Sequence, residues 1–490
     1  MAFDSSRNLF RGATALVALL LGAVLAVYWA DFNGEDPKAR RVGPFLATPY
    51  LQLGEVPTPD ALTLIWHADD VDAAWSVEVQ SPVGSPWRPA SKPESRRIVL
   101  DTVEPQRVYK SVLSRLAPGF PFRYRVKLSG TSAFEAEAKA KAGPGRPHRF
   151  VAFGDLAANT PGQRKVAFQT YQAKPDFVLL TGDIVYFRGK VGEYRSKYFP
   201  IYASPEASPE LGAPLLGSTL FVGVPGNHDL ALNDFDRDPD LMAYFYFWSQ
   251  PLNGPTKAVG GRLAPPIAGA ANRTQAFRDA AGPNYPTMAN FSFDYGDVHW
   301  TLLNSNPYVG WSDPELRAWV ANDLASAADK PWRFVSFHHP GFHSSKAHAP
   351  EQQMRVLADI FEAGGVSLVL SGHVHNYQRT FPLKFAQRTY ADGHVPEPAT
   401  PVDGTWTLDQ AYDGTSKTRP DGIIYVVTGA GGAKLYDSTQ TEHPETWKPF
   451  TTRFIADVHS FTQVDVTPEA AVVRQISAEG VPLDSFTVVH

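Results

Sequence analysis

FVLLTGDIVY, residues 177–186, runs four apolar residues into a glycine and an aspartate. Phe177 to Leu180 is apolar at every position and too short for a helix, the pattern of a strand buried on both faces. Gly182 lets the backbone turn sharply off that strand, so that Asp183 projects beyond its carboxyl end. Tyr186 stands three residues later. The same grammar recurs outward in both directions. RFVAF (149–153) leads to Gly154-Asp155, and LFVGV (220–224) leads to Gly226-Asn227-His228-Asp229. RFVSF (333–337) leads to His338, and SLVL (367–370) leads to Gly372-His373-Val374-His375. WTLL (300–303) and IIYVV (423–427) are further runs of the same kind. His373 and His375 are two apart, which on an extended chain puts both on one face.

Helical patterns lie between some of these runs. Asp313-Pro314 caps and opens a helix whose Leu316, Trp319, Val320 and Leu324 form one apolar face. Pro350 opens another, with Met354, Leu357 and Phe361 inward and Gly364-Gly365 as its stop. Strand–helix–strand alternation predicts an α/β layer fold, whose ligands bind in the crevice at the strands' carboxyl ends. Residues 230–298 and 380–420 are rich in Pro and Gly and weakly periodic, and read as decorated loops near that crevice.

Upstream the texture differs. Residues 41–142 carry short segments such as LTLIWH (62–67), AWSVEVQ (74–80) and FRYRVKL (122–128), broken by prolines. They predict an all-β sandwich of the fibronectin type III or immunoglobulin kind. His67 is the only histidine there and reads as a packed residue rather than a ligand. Gly143-Pro-Gly-Arg-Pro147 reads as the linker, which makes 147–490 the second domain. Ahead of both, residues 13–30 form an uncharged apolar run behind Arg7 and Arg11. Eighteen residues at 1.5 Å each approach the ~30 Å hydrocarbon thickness of a bilayer. Residues 1–30 are thus a signal peptide or a signal anchor, the length of the run favouring the anchor. Either way the rest of the chain is exported: periplasmic, extracellular, or anchored and facing outward.

Composition narrows the chemistry. The chain has 490 residues, a net charge of −5 and no cysteine. The charge argues against a nucleic-acid partner. The absence of cysteine excludes disulfides, thiolate metal sites, iron–sulfur clusters and cysteine nucleophiles. Any metal must be held by His, Asp, Glu, Asn or Tyr. No nucleophile elbow is present, and Gly429-Ala-Gly-Gly432 lacks the Lys-Ser/Thr of a P-loop.

A lone Gly-Asp is usually a turn, and a lone strand-end histidine usually a structural residue. Five such motifs in order, each closing an apolar run, need a common reason. The ordered set resembles the calcineurin-like metallophosphoesterases and, within them, the purple acid phosphatases. The resemblance covers 147–490 and extends to the upstream sandwich through Pro49-Tyr-Leu-Gln52 and Leu116-Ala-Pro-Gly119. Many of that superfamily open with Asp-x-His; here Leu156 and Ala157 come after Asp155, and Tyr186 stands where the purple acid phosphatases place a tyrosine ligand. The resemblance implies a four-layer α-β-β-α sandwich with a binuclear centre. One metal would take Asp155, Tyr186 and His375, Asp183 would bridge, and the other would take Asn227, His338 and His373. The first set gathers two private anions and the second only neutral donors, so the pair reads as Fe(III) with a divalent Zn, Fe or Mn.

The implied activity is hydrolysis of small phosphate monoesters, best in acid, by in-line attack of a hydroxide generated at the metals. His228 would contact the phosphate, with Asp229 orienting it. His348, ten residues past His338, would protonate the leaving group, with His343 as its competitor. His339 adjoins the site without binding metal. Arg379 touches either substrate or a structural carboxylate. The same metal core also serves phosphodiesters, and a degenerate surface binding protein is the alternative from another class. Neither the natural substrate nor the oligomeric state is written in the sequence.

Overall fold

The computed structural model describes residues 41–258, 262–388 and 401–490. The apolar run at 13–30 and residues 389–400 of the expected second loop lie outside them. Among the described residues, no helix is long and apolar enough to cross a membrane.

Two mixed sheets carry the site. The first has ten strands, with His148–Phe153, Phe177–Leu180 and Leu220–Gly223 parallel at its middle. The second has seven, with Val298–Leu303, Trp332–Phe337, Leu368–Ser371 and Ile424–Thr428 parallel. Alternation along each strand explains why the runs are apolar throughout. Phe150, Ala152, Phe177 and Leu179 face inward and meet Trp300, Leu302, Phe334, Leu368 and Leu370 of the other sheet. Val151, Phe153, Val178 and Leu180 face outward and pack on Val166 and Ala167 of the helix Pro161–Ala173. On the opposite side Leu303, Val335, Phe337 and Val369 pack on Leu316, Val320 and Leu324 of the helix Pro314–Ser326. Each strand residue therefore has an apolar partner on whichever face it occupies. The order of layers is helix, sheet, sheet, helix. Asp313 caps its helix, accepting from the backbone N–H of Glu315 and Leu316.

The upstream strands join this frame. Ala47–Gln52 lies beside Leu220–Gly223 in parallel, with Leu51 opposite Leu220. Leu62–Asp69, Val103–Leu113 and Glu94–Leu100 then extend the ten-stranded sheet to its edge. A separate four-stranded sheet, Arg88–Pro89, Trp75–Gln80, Pro121–Leu128 and Thr131–Lys139, adds Val77, Val79, Tyr124 and Val126 to the cluster holding Leu64, Trp66 and Leu113. His67 is fully buried, as a packed residue would be.

Three local expectations need correction. The helix expected from Pro350 begins later, as a 3₁₀ turn at Gln353–Leu357 continued by Ala358–Ala363. His348 sits at φ +58° and Glu351 turns its carboxylate toward His348 and His373, which breaks the run before it starts. Met354, Leu357 and Phe361 are buried as expected. Residues 230–298 are not simply loop. Residues 241–250 are buried throughout, Ala271–Ala281 is a helix and Phe291–Tyr295 a strand. Their apolar positions lack a period because aromatic side chains there are covered on all sides. Within the second expected loop, Leu383–Gln387 pairs with Gly404–Leu408.

Candidate metal centre

Five strand ends converge. Asp155 and Asp183 leave their strands at φ +59° and +48°, and both carboxylates are buried. Gly182, at φ +92°, lies so close to His338 that a Cβ there would stand 2.5 Å from its Nδ1. Gly226 abuts Asp183: a Cβ would fall 2.1 Å from Oδ1. Both glycines are thus required by close approach, not only by the turn.

The side chains gather in two lobes. In one, the Tyr186 hydroxyl stands 3.0 Å from Asp155 Oδ1, from Asp183 Oδ2 and from His375 Nε2. In the other, Asn227 Oδ1 lies 3.1 Å from both His338 Nε2 and His373 Nδ1. Asp183 touches both lobes, with Oδ1 3.3 Å from His338 Nε2. All seven residues singled out in the sequence come together. His373 and His375 do so differently from the extended-chain expectation. His373 lies at φ +70° in a turn, so the two rings enter different lobes.

The hydrogen bonds fix which ring nitrogens carry protons. His338 Nδ1–H donates to Thr181 O at 2.8 Å, and His375 Nδ1–H donates to Lys434 O at 2.7 Å. His373 Nε2–H donates to Glu351 Oε2 at 2.8 Å. Each imidazole is thereby held from outside and turns its bare nitrogen inward, the arrangement that outer hydrogen bonds impose on metal-ligating histidines. The interior then contains three imidazole lone pairs, two carboxylates, an amide oxygen and a phenol oxygen. Such a set repels itself unless a cation sits within it, and its mixed N/O chemistry fits a transition-metal pair. The electrostatics of the cluster show the same hunger for positive charge. Burial alone would lower the His338 pKa, but the neighbouring Asp183 carboxylate reverses this and lifts it to about 9. Burial pushes the Tyr186 phenol up, and Asp155 and Asp183 push it further.

Of the remaining candidates, His228 and His348 stand at the mouth of the site, with side chains 32% and 38% exposed. His228 donates Nδ1–H to Phe187 O at 2.8 Å, its Nε2 3.9 Å from Asp183 Oδ2. His348 is partly exposed, its Nδ1 2.7 Å from Glu351 Oε1 and its ring 4.1 Å from that of His373. His343 is buried, with Nδ1 unpartnered, and burial lowers its pKa to about 3; it does not reach the mouth as His348 does. His339 packs beside His373 and pairs with Ser305 Oγ. Asp229 does not orient His228. Its carboxylate accepts from the backbone N–H of Gly226 and Ile184, tying two of the strand-end loops together. Arg379 is bound to Asp484, away from the cluster. The turn at 429–432 backs onto Asp155: a Cβ on Gly429 would lie 2.7 Å from Oδ2.

Two residues escape sequence reading. Glu351 bonds His348 and His373; burial would raise its pKa, but those two partners hold its carboxylate well below the usual range. Tyr436 donates its hydroxyl to His373 O at 2.5 Å and stacks near His375. Neither comes directly after a buried strand. The only sequence trace of Glu351 is its place three residues after His348.

Residues 148–377 match the calcineurin-like phosphoesterase family, a span that includes every candidate ligand from Asp155 to His375. Purple acid phosphatase 23 of Arabidopsis thaliana is 23% identical over 352 residues, covering 66% of this chain and 62% of the relative. The chain therefore matches less than two thirds of that protein's length. Among solved structures, the purple acid phosphatase PPD1 from yellow lupin (Lupinus luteus) seeds superposes with a TM-score of 0.61 at 20% identity, over 91% of this chain and 75% of the other. PhoD superposes with a TM-score of 0.55 at 14% identity, over 92% and 91%. At these identities the structural likeness speaks for the fold.

Proposed function

We propose that this chain, which is similar to the purple acid phosphatases and matches the calcineurin-like phosphoesterase family over residues 148–377, hydrolyses small phosphate monoesters at a binuclear centre. The observation that carries this reading is the division of the cluster into two lobes sharing Asp183. Asp155, Tyr186 and His375 would hold one ion, Asn227, His338 and His373 the other, and Asp183 both. Two anionic private donors against none favour Fe(III) in the first place and a divalent Zn, Fe or Mn in the second. Ions so held neutralise a phosphate's charge and lower the pKa of water at the site. The chain's own groups do the rest. His228, anchored through Nδ1, presents Nε2 to the phosphate. His348, fixed through Nδ1 on Glu351, presents Nε2 as the acid that protonates a departing alkoxide. Glu351 also keeps His373 in the tautomer that turns Nδ1 inward. Residues 13–30 support export.

A second reading has one specific observation behind it. Glu351 places a carboxylate at the mouth, which a monoanionic diester meets with less repulsion than a dianionic monoester. Turnover of an aryl phosphate monoester and its matching diester by metal-reconstituted protein, from acid to neutral pH, separates the two. The monoester is expected to be turned over faster, and best in acid. Preference for the diester would keep the ligand set and move the function to phosphodiester cleavage. Turnover of neither would leave a surface binding protein.

A further inference from the structure

The strand Ile424–Thr428 also ends at the site, though no candidate ligand follows it. Its turn, Gly429 to Gly432, passes close against the loop of Asp155. A Cβ on Gly431 would stand 2.3 Å from Gly154 O, and one on Gly432 2.5 Å from Leu156 O, so close approach requires glycine at both. What the turn delivers is the segment from Lys434 to Gln440. Lys434 O accepts from His375 Nδ1–H, and the Tyr436 hydroxyl donates to His373 O. The segment thus rests on one histidine of each lobe.

Its next contacts fall on the residues just ahead of His348. Asp437 Oδ2 accepts from the Ser345 hydroxyl and, at 3.2 Å, from the backbone N–H of Ala347. Gln440 Oε1 accepts from the backbone N–H of Lys346 at 3.1 Å, and its Nε2 donates to Ser344 O at 3.1 Å. Each of residues 344–347 is therefore bonded to Asp437 or Gln440. Ser345 Oγ also accepts at 2.9 Å from Asn376 Nδ2, one residue past His375. Burial does not fix the end of this stretch, since Lys346, His348, Ala349 and Pro350 are exposed. His348 itself lies at φ +58°, a left-handed conformation that a residue other than glycine keeps only when its surroundings impose it. Glu351 holds the ring from one side, and Asp437 holds the backbone from the other.

We propose that Asp437 is a positioning residue for His348, fixing the backbone ahead of that histidine relative to the metal ligands so that Nε2 meets the leaving group. The assignment rests on the reading of His348 as the proton donor. A donor must stand within hydrogen-bond reach, and a displacement of about 1 Å can cost about a hundredfold. Both bonds to Asp437 fall on one oxygen, so an amide oxygen can accept both and an alanine neither. The test compares Asp437→Ala, Asp437→Asn, His348→Ala and the double alanine variant of the full, metal-loaded chain, on an alkyl phosphate and on an ester of an acidic phenol. Asp437→Ala is expected to slow the alkyl ester about tenfold and the aryl ester less than about threefold, at unchanged metal content. Asp437→Asn should restore most of the loss. Added to His348→Ala, Asp437→Ala should cost nothing further on the alkyl ester, because it acts through that histidine. Amide hydrogen exchange needs no turnover: the stretch 345–348 should exchange about tenfold faster in Asp437→Ala and at the original rate in Asp437→Asn. Equal losses on both esters in Asp437→Ala, no rescue by asparagine, additive losses in the double variant or unchanged exchange would overturn the assignment and leave the role of His348 standing. Equal losses on both esters in His348→Ala, or no turnover by the unmodified chain, would overturn that role and the assignment with it.

Discussion

At the scale of single residues, Asp183 and His348 separate two kinds of contribution. Asp183 touches both lobes of the cluster, so Asp183→Asn should lower metal content and turnover together, measured by elemental analysis beside a kinetic assay. A fully loaded, active variant would refute a bridging role. His348 stands beside Glu351 and His373, and the proposed function assigns it to the leaving group alone. His348→Ala should slow alkyl phosphates by about a hundredfold or more, and esters of acidic phenols far less. Equal losses on both would reject the acid role. The residues legible in the sequence are those whose position is dictated by a buried strand: an apolar run must end, and the polar residues just past it enter the crevice. Glu351 and Tyr436 obey no such rule. They reach the site from segments whose path is set by packing elsewhere, so nothing local to them announces a role.

Among the elements, the tie between the second sheet and its outer helix is electrostatic as well as apolar. His299, on the strand Val298–Leu303, lies 2.8 Å through Nδ1 from Asp294 and 3.1 Å through Nε2 from Asp323 of the helix Pro314–Ser326. Burial would lower its pKa, but the two carboxylates overcome this and raise it to about 9. The folded protein therefore grips this proton more tightly than the unfolded chain does. That stabilisation is complete below about pH 6.5 and is lost as pH rises through about 9. His299→Gln should cost about 3 kcal/mol more at pH 6 than at pH 10, read as the change in urea unfolding free energy. A pH-independent difference would show that the imidazolium does not hold the helix. The strands and the helix from Pro314 were legible because their patterns are periodic and capped. The interior of 230–298 was not, because a segment buried on every side carries no period.

Across the whole molecule, the upstream strands belong to the frame that carries the site. Leu51 stands beside Leu220 in the ten-stranded sheet, Tyr50 donates to Phe247 O, and Tyr124 donates to Gly217 O. A chain begun at Pro147 loses the neighbour of Leu220–Gly223 and bares that strand's edge. It is expected to aggregate, and the intact protein to unfold with the two parts melting together in calorimetry. A soluble 147–490 fragment that binds metal would show the opposite. This sharing was invisible in the sequence, since strand pairing across so many residues leaves no local mark. The other flank of the sheet has its own consequence. His148–Phe153, which delivers Asp155, is bracketed on one side by Ser460–Val466, with Ala152 opposite Thr462. On a ribosome these two segments emerge at opposite ends of the synthesis of this region. The strand that carries Asp155 must wait, its edge open, until Ser460–Val466 has been made. A premature stop just before Ser460 removes no candidate ligand, yet it takes away the wall against which the first of them is set.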